Sequence, residues 1–214
     1  MTHSRVWIMV ASLLLAAPVG AQEAKEPKEA KKASKKGQPD QAAMMAAWQK
    51  YATPGENHAR LKAFAGSWTA AVKMWMAPDA PPQESAGTEE AKLIMGDRYL
   101  QADFKGTFNG QPFSGVGFTG YDNGRKKFVG VWIDNMGTGI MTSEGTCDAE
   151  GKVYTYAAMA TDPMTGKTSK SRMVMRVDSD TKHTMEMYGK GPSGKEYKMM
   201  EIVYTRKGAS ARAP

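Results

Sequence analysis

Cysteine and histidine are scarce in this chain of 214 residues, which contains one cysteine and three histidines. The single cysteine, Cys147, excludes an intramolecular disulfide. It has no histidine close to it in sequence, and the chain has no Gly-x-Ser-x-Gly motif, so no pattern indicates a hydrolytic nucleophile. His58 and His183, the two histidines beyond the N-terminal segment, do not form a ligand-spaced pair with each other or with the cysteine, which argues against a zinc site.

Basic residues are in excess, but most of the excess lies outside the part of the chain that is predicted to fold. The formal net charge is +7, yet residues 22–37 alone hold six lysines against three glutamates, and the residues from 38 onward hold 22 basic and 19 acidic side chains. The strand aromatics Trp132, Tyr154 and Tyr156 have no interleaved basic partners of the kind that bind single-stranded nucleic acid. We therefore predict no nucleic-acid partner.

An apolar run occurs at the N-terminus and is too short to span a bilayer comfortably. Arg5 precedes the apolar residues 6–17, and the small residues Gly20 and Ala21 follow them. This order is typical of a secretory signal peptide. We predict a signal peptide over residues 1–21, cleaved after Ala21, and a periplasmic or secreted mature protein. An uncleaved membrane anchor is the alternative.

Residues 22–40 lack any large apolar side chain and interleave lysine with glutamate. Such a segment has nothing to bury, so we predict a disordered, Lys-rich tether. One interpretation makes it a solvated spacer, and the other makes it an arm in weak contact with an anionic envelope surface. We also predict a disordered tail over residues 208–214.

Two helices are predicted over residues 41–65, ahead of the strands. Residues 41–52 are rich in alanine and methionine, which favour helix. Thr53 is placed to cap a second helix that starts at Pro54. Leu61 and Phe64 would lie on one face of this second helix and pack against one end of the following domain.

From residue 66 onward, short alternating runs are separated by turn residues such as Asn109-Gly110. We predict strands over residues 67–76, 86–95, 98–108, 112–121, 127–134, 138–147, 153–161, 169–178, 182–189 and 196–206. Ten strands joined by short turns favour an all-β, antiparallel, up-and-down barrel over residues 66–207, because closure removes the two exposed sheet edges. A two-sheet sandwich is the alternative.

The first of these strands organises the rest. Gly66 and Trp68 open it, and Trp68, Ala70, Val72, Met74 and Met76 are predicted to share one face by alternation. We predict that the face points inward and that the Trp68 indole plugs one end of the barrel, while the glycine lets the chain pass closely.

Several motifs resemble those of the bacterial family catalogued as domain of unknown function 1579. They are Glu56-Asn57-His58-Ala59-Arg60-Leu61, Phe64-Ala65-Gly66-Ser67-Trp68, Gly87-Thr88-Glu89, Gly120-Tyr121-Asp122 and Lys127-Phe128-Val129-Gly130-Val131-Trp132-Ile133-Asp134. The resemblance covers roughly residues 53–207. It implies a calycin-like barrel, similar to lipocalins, fatty-acid-binding proteins and nitrobindin-like proteins, which often bind hydrophobic ligands or haem. It implies no particular activity.

Methionine is unusually frequent, with 17 residues in the chain and 15 of them after residue 40. On several predicted strands the methionines keep one parity, so they are predicted to face the same side. Flexible thioethers on an inner wall suit irregular apolar ligands, but they can also simply fill a core. The residues that we predict to line a ligand site are Trp68, Met74, Met76, Trp132, Met173, Met175, His183, Met185 and Met187.

The same residues leave two other interpretations open. His183 shares parity with Met185 and Met187, so it could project inward and ligate a haem. The methionine sulfurs are soft ligands that could hold Cu(I) in an exported protein. We predict neither cofactor as the main function. The leading prediction is non-catalytic binding or transport of a small hydrophobic molecule, and the alternatives are a structural module of the cell envelope and a haem or soft-metal protein.

Overall fold

The computed structural model describes residues 40–208 of the chain. The predicted signal peptide, almost all of the predicted tether and residues 209–214 of the predicted tail lie outside the described residues. Within residues 40–208, no helix combines the length and the apolar character that crossing a bilayer requires.

Ten antiparallel strands form a closed barrel, which confirms the predicted fold class. Each strand pairs with its neighbours in sequence, and the ring closes because the first strand also pairs with the last. A two-sheet sandwich is therefore excluded. The strands are β1 (Gly66–Met74), β2 (Gln83–Ile94), β3 (Tyr99–Phe108), β4 (Gln111–Asp122), β5 (Lys127–Asp134), β6 (Met141–Cys147), β7 (Val153–Thr161), β8 (Thr168–Ser179), β9 (Lys182–Lys190) and β10 (Glu196–Arg206).

Some strand boundaries differ from the predicted ones by two or three residues. The strand β1 ends at Met74, two residues before the predicted end, and β6 begins at Met141, three residues after the predicted start. Gly137 and Gly139 lie in the segment before β6, and glycine gives a strand no side chain to pack. The β3–β4 turn matches its sequence signal, because Asn109 and Gly110 both have positive φ, at 49° and 74°.

Two helical segments precede the barrel, and only the second closes it. The helix α1 (Gln41–Ala52) contains no buried residue. The helix α2 (Glu56–Ala59) continues as a 3₁₀ turn (Arg60–Phe64) that buries Leu61 and Phe64. The predicted N-terminal helical segments are thus present ahead of the barrel, and the second of them supplies the residues that are buried against its end.

The second helix also begins later than predicted. The Thr53 hydroxyl donates to the Gln49 carbonyl oxygen at 2.7 Å, so it serves the end of α1 and not the start of α2. The start of α2 is instead held by His58, whose Nδ1 accepts the Gly55 N–H at 3.0 Å. Because the Thr53 hydroxyl is bonded to Gln49, it does not cap a second helix at Pro54, as the sequence had predicted.

The core consists of two adjoining clusters inside the barrel. The capped-end cluster lies beneath the 3₁₀ turn and contains Leu61, Phe64, Ala91, Leu100, Phe128, Tyr154 and Tyr156. The central cluster contains Trp68, Ala70, Val72, Phe104, Met185, Ile202 and Tyr204. Met173 and Met175 pack against both clusters. The capped end is therefore closely filled, and any space for a ligand must lie toward the centre and the opposite, open end.

Candidate functional site: the barrel interior

Trp68 seals the capped end from inside. Its indole is 0 % exposed, and its Nε1–H donates to the Phe64 carbonyl oxygen at 2.9 Å. The Arg206 guanidinium lies over the indole ring at 4.1 Å from its centroid and donates from Nη1 to the Ala65 carbonyl oxygen at 3.0 Å. The ring is thus enclosed on all sides, which makes Trp68 an end plug without free surface for a ligand.

Gly66 is required by this arrangement. Its φ is +135°, a conformation that L side chains rarely adopt, and a Cβ there would lie 2.2 Å from Arg206 Nη1. The glycine therefore leaves room for the arginine that covers Trp68, a residue that the Gly-x-Trp pattern did not reveal from sequence.

A wall of methionines occupies one side of the interior. Met74, Met200, Met187 and Met173 stand directly opposite one another across the neighbouring strands β1, β10, β9 and β8. Met185 and Met175 form a second pair on β9 and β8, one step closer to the capped end. We call these six residues the methionine wall. All six belong to or pack against the central cluster, so the five that were predicted to face inward do so, and Met200 is an additional residue that the sequence did not indicate.

Most of the methionine wall is less deeply buried than the residues of the central cluster. Met173, Met175 and Met187 are partly exposed although they lie in the middle of paired strands and their side chains contact the central cluster, whereas Trp68 is 0 % exposed and Tyr204 is 6 % exposed.

Met76 does not belong to the site. It lies two residues beyond the end of β1 and is 64 % exposed. Trp75 donates its N–H to the Met199 carbonyl oxygen, and the chain then turns away from the sheet. Alternation stops with the strand, so the parity argument that placed Met76 inside is wrong at this residue.

Aromatic rings line the side opposite the methionine wall. The rings of Phe104 and Phe113 meet edge to face at 5.8 Å, and those of Phe113 and Trp132 are stacked at 6.5 Å between centroids. The Trp132 ring packs against the backbone of β4 at Gly115, where a Cβ would come within 2.2 Å of the ring. Its Nε1–H donates to Asp134 at 2.9 Å. The glycine of β4 thus makes room for a flat aromatic surface inside the barrel.

His183 is enclosed by three aromatic rings and is 2 % exposed. It stacks on Tyr204 at 4.3 Å and meets Trp68 and Phe64 edge to face at 4.3 and 5.2 Å. Its Nδ1 is buried without a hydrogen-bond partner among the described residues. Burial, reinforced by the Arg206 charge, lowers the pKa of His183 to about 4, so the imidazole is neutral at physiological pH. A haem iron could reach it only if one of the three rings moved.

Glu89 is the interior residue that the sequence analysis missed. It lies on β2 directly opposite Trp68 of β1 and Phe104 of β3, and it is 7 % exposed. Burial raises the pKa of its carboxyl to about 7, a hydrogen bond with the Tyr204 side chain opposes this shift, and the nearby Asp103 charge adds to it. Its alternation with Ala91 and its place in the Gly87-Thr88-Glu89 motif were the signals that could have identified it.

Two depressions lie at the surface. One, of about 490 Å³, sits at the open end and is lined by Met74 together with residues of β2 and of the β3–β4 turn. The other, of about 470 Å³, is an open groove on the outer wall across β5 to β10, with Lys127, Lys170, Arg172 and Lys190 along it. Among residues 40–208, no group of three or more histidine, cysteine, aspartate or glutamate side chains could hold a metal ion.

These features define a class of protein: a closed ten-stranded antiparallel barrel that is capped at one end and has an apolar, methionine-rich interior. The chain belongs to the family described as protein of unknown function (DUF1579), whose pattern matches residues 53–206. A search of curated proteins finds no match. Among solved structures, the chain is similar to Rv2717c from M. tuberculosis, with a TM-score of 0.55 and 15 % identity over 72 % of this chain and 99 % of that one. At this identity the likeness supports the barrel fold alone.

Proposed function

We propose that this protein binds and carries a small hydrophobic molecule inside the barrel, without catalysing its conversion. The observation that carries the proposal is the partly exposed methionine wall within a closed barrel, faced by Trp132 and Phe113. Thioethers and aromatic rings on opposite sides of one space suit an apolar ligand of irregular shape. The depression beside Met74 lies at the end of the barrel where the proposed ligand would enter.

Filling the interior tests this proposal. Met187 faces inward on β9, whereas Met159 faces outward on β7 and is exposed. We expect Met187→Trp to weaken the binding of an uncharged, environment-sensitive fluorescent probe at least about tenfold, because the larger ring occupies the ligand space. Met159→Trp should bind the probe as the natural protein does. Equal binding by both variants, or no binding by the natural protein across a panel of apolar probes, would contradict a role for the interior.

A second candidate function is contact with an anionic membrane surface, and α1 favours it. Met44, Met45 and Trp48 are exposed, with Trp48 at 62 %, and their spacing places them on one face of the helix. The Lys-rich residues 22–37 precede α1 in the sequence. An exposed apolar helix face and a basic segment are both features that bind anionic lipid surfaces, and an exported protein would meet such surfaces in the envelope.

Vesicle sedimentation distinguishes this second function from the first. The full mature chain should sediment with vesicles containing phosphatidylglycerol and not with purely zwitterionic ones. Trp48→Ala should reduce the bound fraction, while Trp132→Ala, inside the barrel, should leave it unchanged. If neither the charge of the lipid nor Trp48 matters, α1 does not contact membranes.

A further inference from the structure

Glu89 is a buried carboxyl without a positive partner. Among the described residues it forms no ion pair, and the partner of its side-chain hydrogen bond is Tyr204. A carboxylate offers two oxygens with about four acceptor positions, so one hydroxyl leaves most of this capacity unused. Burying a carboxylate in this state is unfavourable unless something supplies the missing donors.

Glu186 is a second buried carboxylate of the same protein, and it has cationic partners. It is buried to nearly the same extent, at 8 % exposed, but it lies on the outer wall and pairs with Arg176 and with Lys198, whose Nζ is 2.7 Å away. Burial raises the pKa of Glu186, but hydrogen bonds from the two cations outweigh this effect and lower the pKa to about 2. The barrel thus neutralises its outer buried carboxylate and leaves the inner one without a cation.

The surroundings of Glu89 favour a cation. Phe104 lies directly opposite it on β3, and from Phe104 the line of rings continues through Phe113 to Trp132. Trp68, opposite it on β1, is already covered by the Arg206 guanidinium. The faces of aromatic rings carry partial negative charge and attract ammonium groups. The charged group that acts most strongly on Glu89 from the neighbouring strand is Asp103, which is also acidic.

We propose that the ligand of the barrel is an organic amine, bound as an ammonium ion whose N–H groups donate to the Glu89 carboxylate while its apolar part lies against the methionine wall. This inference rests on the proposed function and specifies its ligand class. Phe113 and Trp132 form the aromatic side of the route from the open end, and Glu89 forms its inner end. The hydroxyl of Tyr204 holds the carboxyl in place.

The protonation of the groups at this position fits the proposal. The pKa of Glu89 is about 7 in the empty barrel, so a bound ammonium would favour the carboxylate and release a proton near neutral pH. Tyr204 and His183 do not titrate in this range, because burial raises the pKa of Tyr204 far above its usual value and lowers that of His183 to about 4. Phe104 of β3 and Trp68 of β1 lie opposite Glu89, and neither titrates. Asp103 of β3 lies opposite the neighbouring Glu90, and its charge raises the pKa of Glu89 further.

Chain-matched ligands test the proposal. Decylamine, decanol and decanoic acid share one apolar chain and differ in the polar group, and each is used below its micellar concentration to displace a bound fluorescent probe. We expect the natural protein to bind decylamine at least about tenfold more tightly than decanol, and decanoic acid most weakly. The amine should bind about tenfold more weakly for each pH unit below about 7, because the carboxyl becomes protonated.

Variants on the two faces of β2 supply the controls. Glu89→Gln keeps the shape and should bring amine and alcohol within about twofold of each other. Glu90→Gln changes the adjacent, outward-facing carboxylate, which pairs with Lys207, and should keep the preference for the amine. If the natural protein binds the alcohol as tightly as the amine, or if Glu89→Gln keeps the preference, the amine assignment is wrong while the hydrophobic carrier stands. If none of the three ligands displaces the probe, the proposed function fails as well.

Discussion

Replacing Glu89 by glutamine should change the dependence of stability on pH in a defined direction. The carboxyl has a pKa of about 7 in the folded protein and 4.5 when unperturbed, because burial disfavours its charge. Between these pH values the folded state retains a proton that the unfolded chain has released. The contribution of Glu89 to the free energy of unfolding therefore falls as pH rises from about 4.5 to about 7 and levels off above that range.

The size of the effect follows from the two pKa values. Each tenfold change in proton affinity corresponds to 1.36 kcal/mol, so the full difference between 4.5 and about 7 corresponds to about 3 kcal/mol. Glutamine cannot ionise, and its amide oxygen can still accept a hydrogen bond from Tyr204. The free energy of unfolding of Glu89→Gln, relative to the natural protein, should accordingly rise by up to about 3 kcal/mol between acidic and mildly alkaline pH.

Urea unfolding followed by circular dichroism at about pH 4.5, 6 and 8 measures the difference in free energy of unfolding between Glu89→Gln and the natural protein. The contributions of groups that titrate equally in both proteins cancel in this difference. Glu90→Gln is the control. The Ser67 hydroxyl and Lys207 lower the pKa of that exposed carboxylate below 4.5, so its ionisation affects stability only below this series, and the difference between Glu90→Gln and the natural protein should vary little from pH 4.5 to 8. Parallel stability curves for Glu89→Gln and the natural protein would refute the claim that Glu89 is buried without a compensating charge.

Two further changes probe the capped end. His183→Phe removes the buried imidazole, whose pKa is about 4 in the folded protein and 6.5 when unperturbed. As pH falls from about 6.5 to about 4, the unfolded chain binds a proton that the folded protein does not, so the free energy of unfolding of the natural protein should fall by up to about 3 kcal/mol relative to this variant. The same urea unfolding series measures this difference. Gly66→Ala should lower the free energy of unfolding by about 2–4 kcal/mol, because it combines an unfavourable positive φ with displacement of the Arg206 guanidinium from Trp68. Its near-ultraviolet circular dichroism should show the altered Trp68 environment, and an unchanged spectrum and melting temperature would contradict the packing described at Gly66.

Much of the fold could be predicted because strands and turns have local sequence patterns, namely alternation of side chains along a strand and characteristic residues at a turn. Alternation along β8 and β9 placed Met173, Met175, Met185 and Met187 on one face, and Asn109-Gly110 marked a turn. The same alternation wrongly placed Met76 on the inner face, because alternation does not indicate where a strand ends. Alanine and methionine predicted the helix α1 correctly, but composition does not indicate how deeply a helix is buried, and α1 has no buried residue.

The amino-acid sequence alone determined the number of strands, their order and the side of each strand that is apolar, since these properties depend on neighbours a few residues apart. Only the tertiary structure decided which residues meet inside. Pairing of β1 with β2 sets Glu89 opposite Trp68, and closure of the barrel through β10 brings Tyr204 to the carboxyl and Arg206 over the indole. Burial and missing charge partners arise from contacts between distant segments, so the unpaired carboxyl became visible only once the first and last strands were paired.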